Sequence, residues 1–176
     1  MKKVLLHICC GVCAIECIGR LKSAGLSVAG FFYNPNIHPQ EEYLRRKKAL
    51  ILVRDLCGVD VFEGEYEPRQ WHELCDIHET EPEGGQRCNQ CYRMRLVKTY
   101  ELARLKGFDL FTTTLTISPH KDSAEIFRVG EEIGGSAFLK EDFKSQDGFK
   151  KTIQAAKAND LYRQNYCGCM YSMDPK

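Results

Sequence analysis

The chain reads as an α/β protein, a parallel sheet with helices on both faces. Two observations lead there. Strand-like and helix-like segments alternate from end to end, and the strands are nearly continuous apolar runs, as expected where a sheet is covered on both sides. A third observation places the chemistry: the unusual residues follow the strands, and in such sheets ligands bind off the carboxyl ends of the strands.

Lys3–Ile8 is an apolar strand, and Gly11 opens a turn. Val12–Ser23 reads as a helix stopped by Gly25. Ser27–Tyr33 is a second buried strand, followed by the loop Asn34-Pro35-Asn36-Ile37-His38-Pro39. A long helix runs from about Gln40 to Leu56 and ends before Gly58. Val59–Phe62 is a short strand, Pro68–Ile77 is helical, and Glu79–Arg87 is an acidic loop containing glycine. In Asn89–Lys106, Tyr92, Leu96, Tyr100 and Ala103 repeat at helical spacing and Gly107 caps the end. Phe108–Thr113 is a strand, Asp122–Ile133 a helix, Ser136–Leu139 a short strand and Gly148–Ala158 a last helix.

At 176 residues the chain fits a single domain, 1–176, large enough to bury a core. With 43% hydrophobic and 28% charged residues it has a globular composition, and no apolar run is long enough to span a membrane. A formal net charge of +1 gives no global field for nucleic acid, so an RNA partner would need a local basic patch. Met1-Lys2-Lys3 before Val4-Leu5-Leu6 has the look of a signal-peptide start, and Leu6-His7-Ile8-Cys9 loosely resembles a lipoprotein box. His7 interrupts the apolar run and Glu16 follows soon after, so the better reading is a buried first strand in a reduced cytoplasmic protein. There, clustered cysteines mean metal or redox chemistry more often than structural bridges.

Ten cysteines are present, in three tight groups: Cys9-Cys10-x-x-Cys13, Cys88-x-x-Cys91 and Cys167-Gly168-Cys169. Cys10, Cys13 and Cys17 share a helical face by spacing. Cys88 and Cys91 lie a turn apart at a helix start, where the dipole favours anionic sulfur. The first two groups supply four thiolates, Cys9, Cys10, Cys88 and Cys91, enough for tetrahedral zinc or a cubane cluster. Cys17, Cys57 and Cys75 read as buried, inert thiols. A bridge across the single Gly168 would be strained and easily reduced, which suits a redox dithiol at Cys167/Cys169; two further metal ligands are the competing use. The surplus of thiols beside a four-thiolate site tilts the balance from zinc to electron transfer.

His7 reads as a satisfied core histidine. His120, in Ser118-Pro119-His120-Lys121, follows a late strand and can face the site, as can Asp142 in Asp142-Phe143-Lys144. Arg45-Arg46-Lys47-Lys48 could bind phosphates or pair with Glu41 and Glu42 on a helix face. Arg93, Arg95 and Lys98 follow Cys91 and could steer RNA. No glycine-rich phosphate fingerprint appears.

An ordered set of motifs carries a resemblance over nearly the whole chain: His7-x-Cys9-Cys10-x-x-Cys13, Tyr33-Asn34-Pro35-Asn36-Ile37-His38-Pro39, Cys88-x-x-Cys91-Tyr92-x-x-Arg95-Leu96, Phe111-Thr112-Thr113-Thr114-Leu115 with Ile117-Ser118-Pro119-His120-Lys121, Asp142-Phe143-Lys144 and Leu161-Tyr162-Arg163-Gln164-x-Tyr166-Cys167-Gly168-Cys169. Together they resemble the cobalamin-independent epoxyqueuosine reductases of the QueH type. The resemblance implies reductive removal of the epoxide oxygen from epoxyqueuosine at the tRNA wobble position. It implies a [4Fe-4S] cluster on Cys9, Cys10, Cys88 and Cys91, a redox-active pair at Cys167 and Cys169, and an additional mononuclear iron for which Cys13 is a candidate ligand. The partners implied are tRNA carrying epoxyqueuosine and an unidentified electron donor. The fold implied is Rossmann-like, of the adenine-nucleotide alpha-hydrolase and tRNA-thiolation type, with Cys9 and Cys10 where those proteins carry a phosphate loop. Two rivals stand beside this reading: a zinc-thiolate RNA-binding module, which would be colourless, and a metal-free thiol oxidoreductase, which would survive chelation.

Overall fold

The computed structural model describes residues 1–173. Four strands, β1 (Lys3–His7), β2 (Ser27–Phe32), β3 (Val61–Glu63) and β4 (Leu110–Thr113), form one all-parallel sheet in the order β3-β2-β1-β4. Parallel neighbours need crossovers. These are the helices α1 (Gly11–Ser23), α2 (Gln40–Cys57), α3 (Pro68–Cys75) and α4 (Gln86–Lys106), and α5 (Ser123–Gly134) and α6 (Gly148–Ala158) follow the last strand.

The continuous apolar runs have the expected cause. In β1, Val4 and Leu6, continued by Ile8, enter one core with Cys17, Ile18, Leu50, Val53, Phe143 and Ala156, from α1, α2, α6 and the segment before α6. Leu5 enters a second core on the other face with Trp71, Leu96, Ile126 and Val129, from α3, α4 and α5. Period-two alternation thus divides each strand between two dry faces. Gly58 and Gly107 close α2 and α4 in the left-handed conformation, as their positions in the sequence predict. At Gly11 an added Cβ would lie 3.0 Å from the Ala49 backbone, so glycine lets the first turn of α1 lie against α2.

The expected fifth strand is absent among the described residues. Gly135–Ala137 is a 3₁₀ turn, and Phe138 makes only an isolated parallel bridge to Phe111. The Leu139 N–H donates to the Phe111 carbonyl (2.8 Å) and the Thr112 hydroxyl to the Leu139 carbonyl (2.8 Å), after which no ladder follows. Gly134 and Gly135 lead into this corner, and Gly135 has φ +53°.

The strand order creates the site. The chain moves from β1 outward to β2 and β3, then returns to β4 on the other side of β1. A crevice therefore opens beyond the carboxyl ends of β1 and β4, the position where doubly wound sheets bind ligands.

Candidate thiol site and adjoining cavity

Cys9 and Cys10 follow β1, and Thr114 follows β4. The Thr114 hydroxyl joins the two ends: its oxygen accepts the Cys9 N–H (3.1 Å) and its proton points to Cys9 Sγ (3.2 Å). Below them His7 is fully buried. Its Nε2 faces the Tyr33 carbonyl (3.1 Å), so Nε2 carries the proton and Nδ1 accepts from the Thr113 hydroxyl (2.9 Å). Thr113 Oγ1 in turn accepts the Leu115 N–H (3.1 Å). Burial holds the His7 imidazole down to about 3, with Arg95 adding to the effect. His7 is the satisfied core histidine its sequence position suggests, and it fixes the register of both strand ends.

The sulfurs of Cys9, Cys10 and Cys13 lie within 4.8 Å of one another. Cys10 and Cys13 are at disulfide-bonding distance, with Cα atoms 5.6 Å apart. The expected cysteine bridge was instead at Cys167/Cys169, which are thiols with their sulfurs 3.7 Å apart. One helical turn suffices to bring Cys10 to Cys13. Cys88 and Cys91 occupy the start of α4, where the Gly84 N–H donates to Cys88 Sγ (3.2 Å). Burial pushes the Cys91 thiol up, opposed by Arg95 and by the Trp71 indole N–H. Cys9, Cys88, Cys91, Cys167 and Cys169 all pack into the same core cluster. Four of these thiols, Cys88, Cys91, Cys167 and Cys169, also line a small pocket with Trp71, Arg87 and Arg95.

Cys167 is held well below the usual thiol range, first by the Cys169 S–H donating to it, then by Lys121, against burial. Cys169 is pushed up as the partner that keeps its proton. The two therefore titrate as a pair across their 3.7 Å contact, with the proton favoured on Cys169. Arg95 is buried, and its Nε donates to the Cys91 carbonyl (3.0 Å). Burial opposes its charge, but Cys91, Cys9 and Cys167 together hold it firmly protonated.

A cavity of about 330 Å³ adjoins these sulfurs. Its wall includes Cys9, Cys13, Cys167, Thr114, Gln164 and Tyr166. Its charged and titratable groups are Arg46, Arg95, Lys121 and His120, against one carboxylate, Glu83. His120, expected near the site, is on this wall. Asp142 is not: its carboxylate accepts from the Ser123 hydroxyl (2.9 Å) and the Lys144 N–H (3.3 Å), so it ties the loop before α6 to the start of α5.

The two basic runs expected to bind RNA are largely committed elsewhere. Arg46 is 2% exposed. Its Nε donates to the Glu42 carboxylate (2.7 Å), and its Nη atoms donate to the carbonyls of Cys167 (3.0 Å) and Tyr166 (3.1 Å). The Tyr162 hydroxyl donates to the same carboxylate (2.6 Å). Arg45 leans on the Tyr162 ring (5.1 Å) and Lys47 pairs with Glu63 (2.6 Å), which leaves Lys48 exposed and without an ion pair among the described residues. Arg93 pairs with Glu132, and Arg95 is buried among the thiols. Arg46 and Arg95 are therefore interior groups, not a phosphate-binding surface.

Sequence patterns alone missed this clamp. Arg46 and Glu42 hold the Cys167-Gly168-Cys169 loop from one side, and the His38 N–H donates to the Gly168 carbonyl (2.7 Å) from the other. Arg87 was also missed. It donates to the carbonyls of His78 (3.0 Å), Glu79 (2.9 Å) and Glu81 (2.6 Å) and so shapes the acidic loop before Cys88. Trp71, the single tryptophan, was a visible signal that went unused.

The sequence model of the family described as "Epoxyqueuosine reductase QueH" matches residues 4–175. Proteins of that name are similar to this chain in several bacteria. The Haemophilus influenzae protein is 35% identical over 175 residues, covering 97% of this chain and 71% of its own. The Streptococcus pyogenes protein is 36% identical over 178 residues, covering 96% and 69%. The Thermotoga maritima protein is 35% identical over 179 residues, covering 98% and 91%. The ordered motifs, the thiols gathered at the sheet's switch point and these matches agree: the chain belongs to the epoxyqueuosine reductase QueH family.

Proposed function

We propose that this protein reduces epoxyqueuosine to queuosine in tRNA, with Cys167 and Cys169 as its two-electron store and a [4Fe-4S] cluster on Cys9, Cys10, Cys88 and Cys91. The observation that carries this reading is the convergence of three cysteine groups, far apart in sequence, at the carboxyl ends of β1 and β4: Cys9, Cys13 and Cys167 line the cavity, and Cys88, Cys91, Cys167 and Cys169 line the small pocket that shares Cys167 with it.

The chemistry balances on the dithiol. Removing the epoxide oxygen breaks two C–O bonds, forms one C=C bond and releases water, which takes two electrons and two protons. Closing the Cys167/Cys169 pair to a disulfide supplies both electrons and one proton, and the second proton comes from solvent. Cys167 and Cys169 sit 3.7 Å apart and need only a small movement to join. The Cys167 thiolate faces the cavity with Lys121 beside it. His120, on the same wall, is placed to hand a proton to the departing oxygen. An electron donor, still to be identified, would then restore the dithiol.

The donor set fits an iron–sulfur group: soft sulfur ligands, a buried arginine without a carboxylate partner among the described residues, and a buried Trp71 Nε1 with no oxygen or nitrogen partner, in the pocket lined by Cys88 and Cys91. When bound, such a cluster supplies one-electron transfer and Lewis acidity toward the leaving oxygen. Cys10 as a cluster ligand and Cys13 as a ligand of an additional iron both require the Cys10/Cys13 pair to be open as thiolates. No helix of the described residues is long and apolar enough to cross a membrane. The free thiols and the tRNA substrate fit the reducing cytoplasm.

The test is a single turnover of anaerobically purified protein with epoxyqueuosine-containing tRNA, with thiols trapped before and after. Queuosine should form as Cys167 and Cys169 pass from reduced to oxidised, and the Cys88→Ser, Cys91→Ser double variant should lose iron. Zinc in place of iron with no turnover would favour the RNA-binding module. Turnover that survives chelation would favour the metal-free oxidoreductase. Loss of iron in Cys167→Ser would make the pair a ligand set and end the redox-store assignment.

A further inference from the structure

The cavity of about 330 Å³ is near the lower end of small-ligand sites, room for one nucleotide and not for a loop. If tRNA is the substrate, as proposed above, the neighbouring nucleotides must lie on its rim. Among the described residues one aromatic side chain is exposed, and it stands on that rim. Phe149, in the first turn of α6, is 37% exposed and lines the cavity together with Gln164, Asn165 and Tyr166 of the loop before Cys167. Every other phenylalanine, tyrosine and tryptophan is buried or half-buried. Single exposed apolar side chains are common, so this ring matters for its place: it lines a cavity whose wall carries Arg46, Arg95, Lys121 and His120.

The charges say what that partner is. The cavity wall carries Arg46, Arg95, Lys121 and His120 against Glu83. Lys121, whose charge also acts on Cys167, and the exposed Lys150, which follows Phe149, have no carboxylate partner among the described residues. By contrast, Arg46, Lys47 and Arg93 of the two basic runs are paired with carboxylates, and Arg95 is enclosed. An aromatic face flanked by unpaired cations is the pattern that binds single-stranded nucleic acid, by stacking on a base while cations meet phosphates.

We propose that the first turn of α6 and Lys121 form the docking rim for the single-stranded loop that presents the substrate nucleotide. Phe149 stacks on a base next to it, and Lys121 and Lys150 meet the adjoining phosphates. The inference rests on the tRNA reading and adds the surface and the residue that read the RNA.

The probe is a fluorescent anticodon stem-loop RNA with guanine at the wobble position, titrated with anaerobically purified protein at several salt concentrations. Phe149→Ala should weaken binding by roughly 5- to 150-fold, the range for loss of one stacked base. Its slope of log affinity against log salt should stay that of wild type. Phe149→Trp should retain binding. Lys121→Gln should lower that slope by about 0.7, one phosphate contact on a single strand. Iron content and melting temperature of Phe149→Ala should match wild type. Equal RNA affinity for Phe149→Ala and wild type would overturn the inference and leave the tRNA reading standing. If wild type itself fails to bind the stem-loop or tRNA, the tRNA reading falls, and this surface with it.

Discussion

Replacing Arg46 by Met should damage stability rather than RNA binding, and by a calculable amount. Arg46 is 2% exposed and serves three acceptors: the Glu42 carboxylate and the carbonyls of Tyr166 and Cys167. Removing one partner of a buried ion pair costs about 3–5 kcal/mol. Glu42 keeps the Tyr162 hydroxyl (2.6 Å) and Arg45 (3.5 Å), which favours the lower end, about 3 kcal/mol. Each stranded carbonyl adds roughly 1 kcal/mol, less where water reaches it. These contributions share one network and are not additive, so about 4 kcal/mol is the working figure. That is a large part of the 5–15 kcal/mol typical of a whole domain. Urea unfolding of the reduced, metal-free protein measures it as a lower midpoint at unchanged slope. Most of the penalty is a stranded charge, so adding Glu42→Gln to Arg46→Met should recover roughly half of it. A loss below about 1 kcal/mol in Arg46→Met, or a double variant less stable than the single one, would refute the clamp. A large loss of RNA affinity at unchanged stability would restore Arg46 to the surface role its sequence suggests.

Two more outcomes follow from the same region. His7 is held neutral at about 3 in the folded protein, against an ordinary 6.5 in the unfolded chain. Between those values the unfolded chain binds the extra proton, so stability should fall as pH drops from 6.5 toward 3, with a slope from this group of up to about 1.4 kcal/mol per pH unit. Urea midpoints of metal-free protein at stepped pH values measure the slope, and in His7→Gln that contribution should vanish. Gly168 has φ +119°, and a Cβ there would lie 3.0 Å from Ile37 Cγ1 and 3.1 Å from Arg46 Nη1. Gly168→Ala should therefore cost about 1–3 kcal/mol, read as a lower melting temperature, and a melt equal to wild type would show the loop to be freer than its contacts imply.

Much of the fold was legible because its signals are local. The apolar runs of β1 and β2, the helical repeat Tyr92-Leu96-Tyr100-Ala103 and the glycines at 58 and 107 each report a nearby backbone need. Ser136–Leu139 failed for the same reason. Its residues suit a strand, but only long-range pairing decides whether a ladder forms, and here one bridge to Phe111 is all that does. The basic run of α2 shows a signal that was present and unread. Glu42, Tyr43, Arg46, Ala49, Leu50 and Val53 repeat at helical spacing, and that is the buried face. Arg46 belongs to it by position, whatever its charge. Asp142 could not be placed from its neighbours, because its partner Ser123 lies nineteen residues away. The thiol groups were found from spacing, whereas the Cys10/Cys13 proximity depends on where α1 begins, a matter of one residue.

The charge pattern around the thiols gives an independent reason to regard them as anionic in the working protein. Two helices begin at the thiols, α1 after Cys10 and α4 just before Cys88, and neither has an acidic residue in its first turn. Helices α2 and α5 carry carboxylates there, Glu41 and Glu42 in one and Glu125 in the other, whereas α3 and α6 carry none. A helix start attracts negative charge, and natural sequences commonly supply a carboxylate there. At α1 and α4 sulfurs lie at that end, at α4 together with the Glu81 carboxylate beside Gly85. Arg95 adds to the argument: it is buried with only a carbonyl as its hydrogen-bond acceptor among the described residues, a costly arrangement for a cation unless a counter-charge is near. Cys9, Cys91 and Cys167 are the groups that act on its charge. Two helix N-termini and a buried guanidinium thus converge on the thiols, with Glu83 as the carboxylate that lines the same pockets. With inert, protonated thiols the pockets would hold Arg95 and Lys121 against Glu83 alone, an excess of positive charge. For thiolates, whether free or bound to metal, it is the counter-charge that lets several negative sulfurs share one small volume.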